Sequence, residues 1–199
     1  MLLLIFVATS AALPVNITMA TESLCPDCVR AFKNQLSRVF SSNLEKIAYL
    51  DLLPYGNAKE TQNGSRYIFT CQHGEPECYL NHIDLCAMHL ANNRQYIYFP
   101  FVHCLYTTEN PLQNVDTCHR KVRYPIPLAD IEACAKGDLG NLLMHEIAQR
   151  TDKLNPPKKY VPYFMIDGVH TEDLQKECEA DLVKVVCDHY TGTKPAECS

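Results

Sequence analysis

Residues 15–19 alternate between apolar and polar side chains, which is the pattern of a half-buried β-strand. Farther along the chain the spacing of apolar residues becomes helical, with members at Val29, Phe32, Leu36, Val39 and Phe40. Thr21 or Ser23 would supply the side-chain cap that starts this helix. The first patterned stretch is therefore a strand that leads into an amphipathic helix.

A second strand-like run covers residues 46–53 and stops at the turn residues 54–57. Strand, helix and strand within about forty residues form one βαβ unit, so the two strands should be parallel and joined by a right-handed crossover. A short strand is also predicted at residues 66–71, after the Asn63-Gly64 turn.

The middle of the chain, from about residue 76 to residue 155, is predicted to be mainly helical. Residues 81–106 predict one long helix or two shorter ones, and further helices are expected at 128–135 and 139–151. Because no repeat or low-complexity linker bounds this region, we interpret it as a helical insertion in a single domain.

Strand signals resume at residues 160–166, and Asp167-Gly168 predicts a hairpin turn. Pro162 is awkward in a buried strand because it has no amide hydrogen to donate. It fits better if the Val161-Pro162 bond is cis and faces a site, although trans is the commoner form of such bonds. A last amphipathic helix is expected at residues 172–190.

The sequence Cys25-Pro26-Asp27-Cys28 lies where the first strand meets the first helix. The free amides and the dipole of a helix N-terminus stabilise an anion, here a cysteine thiolate, so this pair is a candidate for thiol-disulfide exchange. Two alternatives stay open. A zinc site would need further ligands, which Cys71, His73, Cys78 or Cys86 could supply. A purely structural disulfide across so short a loop would add little stability.

The composition of the chain limits the partners and the cellular compartment that can be expected. The formal charge of −5 gives no reason to expect a nucleic-acid partner. Eleven cysteines in 199 residues indicate an oxidising compartment, in which the thiols near residue 71 would form disulfides more readily than a zinc site. The odd count leaves at least one cysteine free or bonded to another chain. Cys198 is the candidate for a disulfide-linked homodimer, with internal pairing as the alternative.

Residues 1–12 are apolar and end in small side chains, which predicts a signal peptide and leaves residues 13–199 as the mature domain. No later run reaches the ~20 apolar residues of a transmembrane helix, so we expect a soluble mature protein. Asn16 and Asn63 each begin a glycosylation sequon, and Asn63, in a polar turn, is the better candidate.

The order of elements resembles the thioredoxin fold with a helical insertion between its second and third core strands, an α/β fold. A more specific resemblance is carried by residues 71–86, which contain Cys71-Gln72-His73-Gly74, Glu77-Cys78, Asn81 and Cys86. This pattern resembles the signature of the gamma-interferon-inducible lysosomal thiol reductase (GILT) family. Three further stretches resemble the same family: residues 54–58, residues 148–152, and Pro156-Pro157 with residues 160–162.

The resemblance implies that Cys25 and Cys28 are the redox pair and that Pro162, preceded by Val161, is a cis-proline beside them. It also implies reduction of disulfide-bonded proteins in endosomes or lysosomes, a precursor that is often secreted, and a role in antigen processing or host defence. The chemistry calls for no metal or other cofactor. A small thiol would serve as electron donor.

In the mechanism that these residues suggest, the Cys25 thiolate attacks a substrate disulfide and Cys28 resolves the mixed disulfide. Protonation of Asp27 is a hypothetical source of acid activation, because its charge would disfavour the thiolate. One alternative is a disulfide oxidase or isomerase of the secretory pathway, since sequence does not fix a reduction potential. Another is a cysteine-rich secreted binding or defence module whose thiols are structural.

Overall fold

The computed structural model describes residues 12–199, so the predicted signal peptide at residues 1–12 lies outside the described residues except for its last position. A three-stranded sheet has the order β2-β1-β5. Its strands are β1 (Val15–Thr21), β2 (Ala48–Pro54) and β5 (Tyr163–Ile166). Strand β1 pairs parallel with β2 and antiparallel with β5, and its position between them makes it the centre of the sheet.

The helix after β1 is continuous from Pro26 to Phe40. It consists of α1 (Pro26–Ala31), a π-helical segment (Phe32–Leu36) and α2 (Ser37–Phe40). Of the apolar positions that the pattern assigned to its inner face, Val29 is half-buried and the other four are buried; among these Phe32 stacks on Tyr106 with ring centroids 3.7 Å apart. Together with the parallel pairing of β1 and β2, this helix confirms the predicted βαβ unit.

The predicted cap of that helix is wrong. Thr21 is the last residue of β1, and the Ser23 hydroxyl contacts the side chains of Asn81 and Asp84. The N-cap is Cys25, whose sulfur accepts a hydrogen bond from the backbone amide of Cys28 at 3.4 Å. A cysteine therefore performs the role that serine or threonine usually has.

A hairpin and a set of helices occupy the chain between β2 and β5. The hairpin joins β3 (Lys59–Asn63) to β4 (Arg66–Thr70), and β4 is the short strand that the sequence predicted. Its partner β3 was not predicted, because its side chains are mostly polar and exposed. The α-helices described between β4 and β5 are α3 (Glu75–Leu90), α4 (Gln95–Thr107), α5 (Val115–Val122), α6 (Leu128–Lys136) and α7 (Asp138–Asp152).

After β5 the chain makes the predicted turn, in which Asp167 and Gly168 have φ values of 50° and 78°. The turn is followed by an isolated bridge between Ile166 and Val169 rather than by a second strand. Helix α8 (Glu172–His189) then begins at Thr171, whose side chain accepts a hydrogen bond from the amide of Leu174.

Eight cysteines are joined in disulfides: Cys71–Cys78, Cys86–Cys134, Cys104–Cys118 and Cys187–Cys198. The last of these corrects the prediction that Cys198 links two chains, because 3₁₀ residues Ala196–Cys198 bring its sulfur to α8 of the same chain. Cys187 is thus bonded to the C-terminal segment and not to a cysteine of the helical insertion. Cys178 is free and fully buried, and Cys25 and Cys28 are free as well.

The strand order and the position of the insertion establish an α/β, thioredoxin-like fold with helices between the second and third core strands. Across residues 12–199, no helix has the length and the apolar composition required for a membrane span. The two sequons differ in setting. Asn63 is exposed beside the hairpin turn, whereas Asn16 is half-buried in β1.

Candidate active site

The two cysteines of the Cys25-Pro26-Asp27-Cys28 turn lie at the first turn of α1, as the sequence predicted. Pro26 occupies the first helical position, where a missing amide hydrogen is harmless. The side chain of Cys28 is fully buried, while Cys25 is 7% exposed. A substrate sulfur therefore has a narrow approach to Cys25 and none to Cys28 without movement of the protein.

The surroundings of Cys25 favour its thiolate. A hydrogen bond from the Cys28 thiol is the largest influence, and it lowers the pKa of Cys25 below its ordinary value, to about 7. Burial opposes this change. The backbone amides of Cys28 and Asp27 lower the pKa further, whereas the negative charge of Glu22 raises it. The net effect is a thiol that ionises more readily than a cysteine in water.

Cys28 has the opposite character. Burial raises the pKa of its thiol far above the ordinary value, and the hydrogen bond to the Cys25 sulfur raises it further, while Thr21 and the backbone at Glu22 act against them. One thiol of the pair is thus prepared to ionise, and the other keeps its proton and donates it in a hydrogen bond. Such a division suits a nucleophile and a resolving partner.

The loop before β5 forms the facing side of the site. The carbonyl oxygen of Val161 lies 3.8 Å from the Cys25 sulfur, and the Val161-Pro162 peptide bond is cis, as the resemblance implied. The carbonyl of Pro162 accepts a hydrogen bond from Gln175 Nε2 at 3.0 Å, which ties this loop to α8. The structure therefore brings together Cys25, Cys28, Val161 and Pro162, the residues that sequence reasoning selected for exchange chemistry.

Two shallow depressions border the turn. One is lined by Asp27, Arg30, Ala31, Asn34, Gln35, Pro162 and Glu179. The other has a more apolar lining that includes Leu24, Pro26, Val29, Tyr106 and Pro111. Each borders a residue of the redox turn, so an extended substrate segment could occupy both while its disulfide reaches Cys25.

Asp27 is exposed and pairs with Arg30 at 2.5 Å. Its carboxylate thus has a positive partner in solvent rather than a buried position against the Cys25 sulfur. The hypothesis that Asp27 provides acid activation stays a prediction, and a different carboxylate, that of Glu22, is the one whose charge disfavours the Cys25 thiolate.

Helix α3 holds the backbone that precedes Cys25. The amide of Leu24 donates to Glu77 Oε2 at 3.3 Å, and the amide of Ser23 donates to Asn81 Oδ1 at 3.1 Å. The Ser23 hydroxyl also contacts Asn81 and reaches Asp84 Oδ2 at 3.2 Å. These α3 side chains are fully buried. Residues 71–86 therefore support the redox turn from the protein interior through hydrogen bonds to its preceding backbone.

The polar contacts of α3 were missed in the sequence, although the spacing of Glu77, Asn81 and Asp84 is i, i+4, i+7 and places them on one helical face. In the sequence His73 was considered only as a possible zinc ligand. Its Nδ1 atom lies 2.6 Å from Glu77 Oε2 and 3.6 Å from Glu22 Oε2. The ligand atoms of Glu22, His73 and Glu77 all lie within 4.8 Å of one another, a spacing that could hold a metal ion.

Comparisons with known proteins identify the family of this chain. A family model described as Gamma interferon inducible lysosomal thiol reductase (GILT) matches residues 16–122. A gamma-interferon-inducible lysosomal thiol reductase of Carassius auratus is 38% identical over 94% of this chain and 73% of its own length. The Mus musculus protein of the same name is 33% identical over 94% of this chain and 72% of its own length.

Among solved structures, the oxidoreductase DsbA from Xylella fastidiosa covers 84% of this chain and 86% of its own, with a TM-score of 0.48 and 14% sequence identity. That likeness is distant, and the fold assignment rests on the strand order instead. With the family match spanning the redox turn, α3 and the cysteines between them, the chain belongs to the gamma-interferon-inducible lysosomal thiol reductase family and is a thiol-disulfide oxidoreductase.

Proposed function

We propose that the protein reduces disulfides of other proteins in an acidic endosomal or lysosomal compartment, with Cys25 as the attacking and Cys28 as the resolving residue. The observation that carries this proposal is the asymmetry of the pair: an N-cap sulfur whose pKa is lowered to about 7 beside a buried thiol that donates to it. The names of the Carassius auratus and Mus musculus relatives, which include the word lysosomal, support the location.

The exchange proceeds in two displacements. The Cys25 thiolate attacks one sulfur of the substrate disulfide, and the other substrate sulfur leaves as a thiolate that takes a proton from solvent. Cys28 then loses its proton and attacks the Cys25 sulfur, which releases the second substrate thiolate and leaves a Cys25–Cys28 disulfide. Two electrons have passed to the substrate. A small-molecule thiol, oxidised in turn to its disulfide, would return them to the enzyme.

Acid makes the lowered pKa of Cys25 important. At pH ~5 an unperturbed cysteine is ionised in about one molecule in three thousand. With a pKa of about 7, the ionised fraction of Cys25 rises to about one in a hundred, a gain of roughly thirtyfold. Weaker intrinsic nucleophilicity offsets part of that gain.

The surface around the turn suits an extended segment of a disulfide-bonded protein. Cys25 is only slightly exposed, so a substrate disulfide has to be presented on flexible chain rather than within a rigid fold. The Val161 carbonyl and the two bordering depressions offer such a segment backbone and side-chain contacts. Unfolding or partly digested proteins in an acidic compartment meet this requirement, which is consistent with antigen processing and host defence.

Passage through the secretory pathway fits the four disulfides. We propose that residues 1–12 are a signal peptide, that residues 13–199 form the mature domain, and that part of the protein is secreted. Asn63 is the preferred glycosylation site because it is exposed at the hairpin, whereas Asn16 is half-buried within β1.

The test is reduction of insulin disulfides at pH ~5 and ~7 by wild type, Cys25→Ser and Cys28→Ser, with Cys178→Ala as the control for loss of a buried free thiol. We expect both active-site variants to lose turnover, and Cys28→Ser alone to accumulate mixed disulfides. A wild type without acid activity, or a Cys25→Ser variant with full activity, would contradict the proposal. A redox titration against glutathione separates a reductase from an oxidase or isomerase.

A further inference from the structure

Glu22, His73 and Glu77 meet in a small cluster beside the redox turn. Glu22 follows β1, whereas His73 and Glu77 lie where α3 begins. The Nδ1 atom of His73 is 2.6 Å from Glu77 Oε2 and 3.6 Å from Glu22 Oε2. In a tetrahedral zinc site, ligand atoms about 2.0–2.1 Å from the metal are roughly 3.4 Å from one another. The three atoms therefore have nearly the spacing of ligands around one ion.

One oxygen of the cluster has no hydrogen-bond donor. Glu22 Oε2 is without a partner among residues 12–199, and the Glu22 side chain is only 1% exposed. The other oxygen, Oε1, accepts a hydrogen bond from the Asn57 amide at 2.6 Å. Gly56 permits this arrangement, because a Cβ atom at its position would collide with the Glu22 side chain. The carboxylate is thus held with a free oxygen turned toward His73, and an unpartnered buried oxygen is the kind of atom that binds a cation.

Glu77 is also held by backbone amides. Its Oε1 atom accepts from the His73 amide at 3.1 Å, and its Oε2 atom accepts from the Leu24 amide at 3.3 Å. The Cys71–Cys78 disulfide closes the loop that carries His73 onto the first turn of α3. Hydrogen bonds of this kind orient the ligands of a metal site and contribute to its affinity. Both carboxylates therefore have outer support.

The charge of the cluster favours a cation as well. Two carboxylates that are 1% and 0% exposed face one imidazole, and neither forms an ion pair with a lysine or arginine in the described part of the chain. The charge of Lys158 acts on Glu22, but its Nζ atom donates to Asn57 Oδ1 at 3.0 Å. Buried charges in proteins are usually paired or bound to a metal ion. A divalent cation would balance the two carboxylates.

The types of ligand atom select among cations. Mg²⁺ and Ca²⁺ prefer six or more oxygen ligands, whereas imidazole suits Zn²⁺ and its neighbours in the first transition row. Zn²⁺ is bound by imidazole and carboxylates together, often through three protein ligands and one water molecule. The side chain of His73 is 34% exposed and connects the cluster to solvent, the source of such a water. The set of ligands therefore fits Zn²⁺.

This set differs from the zinc site that the sequence left open. That site would have combined Cys25 and Cys28 with ligands from residues 71–86, but the cysteines of this segment are joined in disulfides. Of the ligands considered in the segment, only His73 remains, and its partners are carboxylates that the sequence did not indicate.

We propose that Glu22 Oε2, His73 Nδ1 and Glu77 Oε2 bind one Zn²⁺ ion, with a water molecule as the fourth ligand. The ion links Glu22, three residues before Cys25, to the helix whose side chains hold the backbone of the redox turn. Its role is structural. The site is therefore independent of the function proposed above and takes no part in the two displacements.

Isothermal titration calorimetry with Zn²⁺ tests the proposal on the untagged protein at pH ~7. The protein is first oxidised, so that Cys25 and Cys28 form a disulfide and do not compete for the ion. We expect one Zn²⁺ per chain and a melting temperature that rises with the Zn²⁺ concentration, because an ion that binds the folded state stabilises it. Mg²⁺ at the same concentration should leave the melting temperature unchanged.

Two substitutions remove one ligand each. His73→Ala changes a partly exposed side chain, and Glu22→Gln keeps an oxygen for the Asn57 amide while it removes the charge. We expect each variant to bind Zn²⁺ at least about tenfold more weakly, since loss of even an outer contact typically costs about 10- to 100-fold in affinity. Glu60→Gln is the matched control, because Glu60 also contacts a histidine, His145, at 2.9 Å, but belongs to the β3–β4 hairpin. It should bind Zn²⁺ as wild type does.

Absence of Zn²⁺ binding by the oxidised wild type would overturn the proposal, and so would unchanged affinity in His73→Ala. Substitution by Co²⁺ gives a second readout that needs no Glu22 variant, and we expect the visible spectrum of tetrahedral nitrogen and oxygen coordination. A sulfur-to-Co²⁺ charge-transfer band would assign the ion to the free Cys178 and contradict the site. Metal binding needs no substrate, so these outcomes are distinct from a failure to reduce disulfides in acid.

Discussion

The Val161 carbonyl oxygen and the Cys25 sulfur lie 3.8 Å apart although 136 positions separate the two residues in the sequence. The contact brings the loop before β5 against the first turn of α1. A substrate segment bound at the Val161 carbonyl would place its own sulfur next to Cys25, so we expect this loop to affect the rate of exchange more than the stability of the fold.

Replacement of Pro162 tests whether the loop affects the rate of exchange more than the stability of the fold. Pro162→Ala changes the lining of the depression shared with Asp27 and Arg30, but keeps the carbonyl that accepts from Gln175. We expect slower turnover of protein disulfides, or trapped mixed disulfides, with a loss in the free energy of unfolding of no more than about 3 kcal/mol. Turnover and urea unfolding are measured together, with the exposed Pro127→Ala as control. Normal kinetics with a large loss of stability would assign Pro162 a structural role.

The three free cysteines should differ sharply in reactivity. Cys25 has a pKa of about 7, whereas burial raises the pKa of Cys178 to about 12 and that of Cys28 higher still. In the native reduced protein, iodoacetamide should therefore label Cys25 with a half-maximal rate near neutral pH and leave the other two unmodified below pH ~9. Peptide mass spectrometry measures the labelling. Equal modification of Cys28 would contradict the assigned roles.

The disulfides should contribute unequally to stability. Cys86–Cys134 spans 48 positions and Cys71–Cys78 spans 7. In the chain-entropy view, loss of the long loop costs about 4 kcal/mol and loss of the short one about 2.5 kcal/mol. Chemical denaturation of the Cys86→Ala/Cys134→Ala and Cys71→Ala/Cys78→Ala double variants compares them. A larger loss from the short loop would show that the bridge beside His73 stabilises the fold by more than loop closure.

Asp84 should make the protein more stable in mild acid. Burial raises the pKa of this carboxyl well above its ordinary value, while its contacts with Ser23 and Tyr106 oppose the shift. A raised folded-state pKa contributes stability that is complete below the unfolded pKa and is lost as the pH rises through the folded value.

We therefore expect Asp84→Asn to lose less stability between pH ~5 and ~7.5 than wild type does. Urea denaturation at the two pH values measures the difference, and the exposed Asp130→Asn serves as control. If the variant and wild type keep the same pH dependence, Asp84 does not titrate in this range in the folded protein.

Local patterns in the sequence were sufficient for the core of the fold. The helical spacing after Cys28 reflects burial against the core, and the structure contains that burial. The alternation in β1 correctly predicted a strand, but β1 is buried along almost its whole length rather than half-buried, because it is the central strand of the sheet. Strand β3 escaped prediction because its polar residues are exposed and gain their order from pairing with β4. The pairing of Cys187 with Cys198 depends on where α8 places the chain end, which no local pattern encodes.

The residues of the site also differ in whether the sequence predicted them. The spacing of Cys25 and Cys28 was sufficient to predict a redox pair. Pro162 was noticed because a proline is unfavourable in a buried strand. The buried partners Glu22 and Glu77 look like ordinary surface acids in the sequence, because nothing local indicates that the loop at Gly56 and helix α3 enclose them. Their burial is a tertiary property, which only a structure supplies.

The disulfides described above have one more consequence. The protein contains disulfides, which are the type of bond that thiol reductases cleave. Sulfurs such as those of Cys86 and Cys118 are buried in its interior. We therefore expect folded copies not to reduce these two bridges in one another. A copy that unfolds exposes its own disulfides to the redox pair of other copies, so we expect the working lifetime of the population to depend on the integrity of each fold.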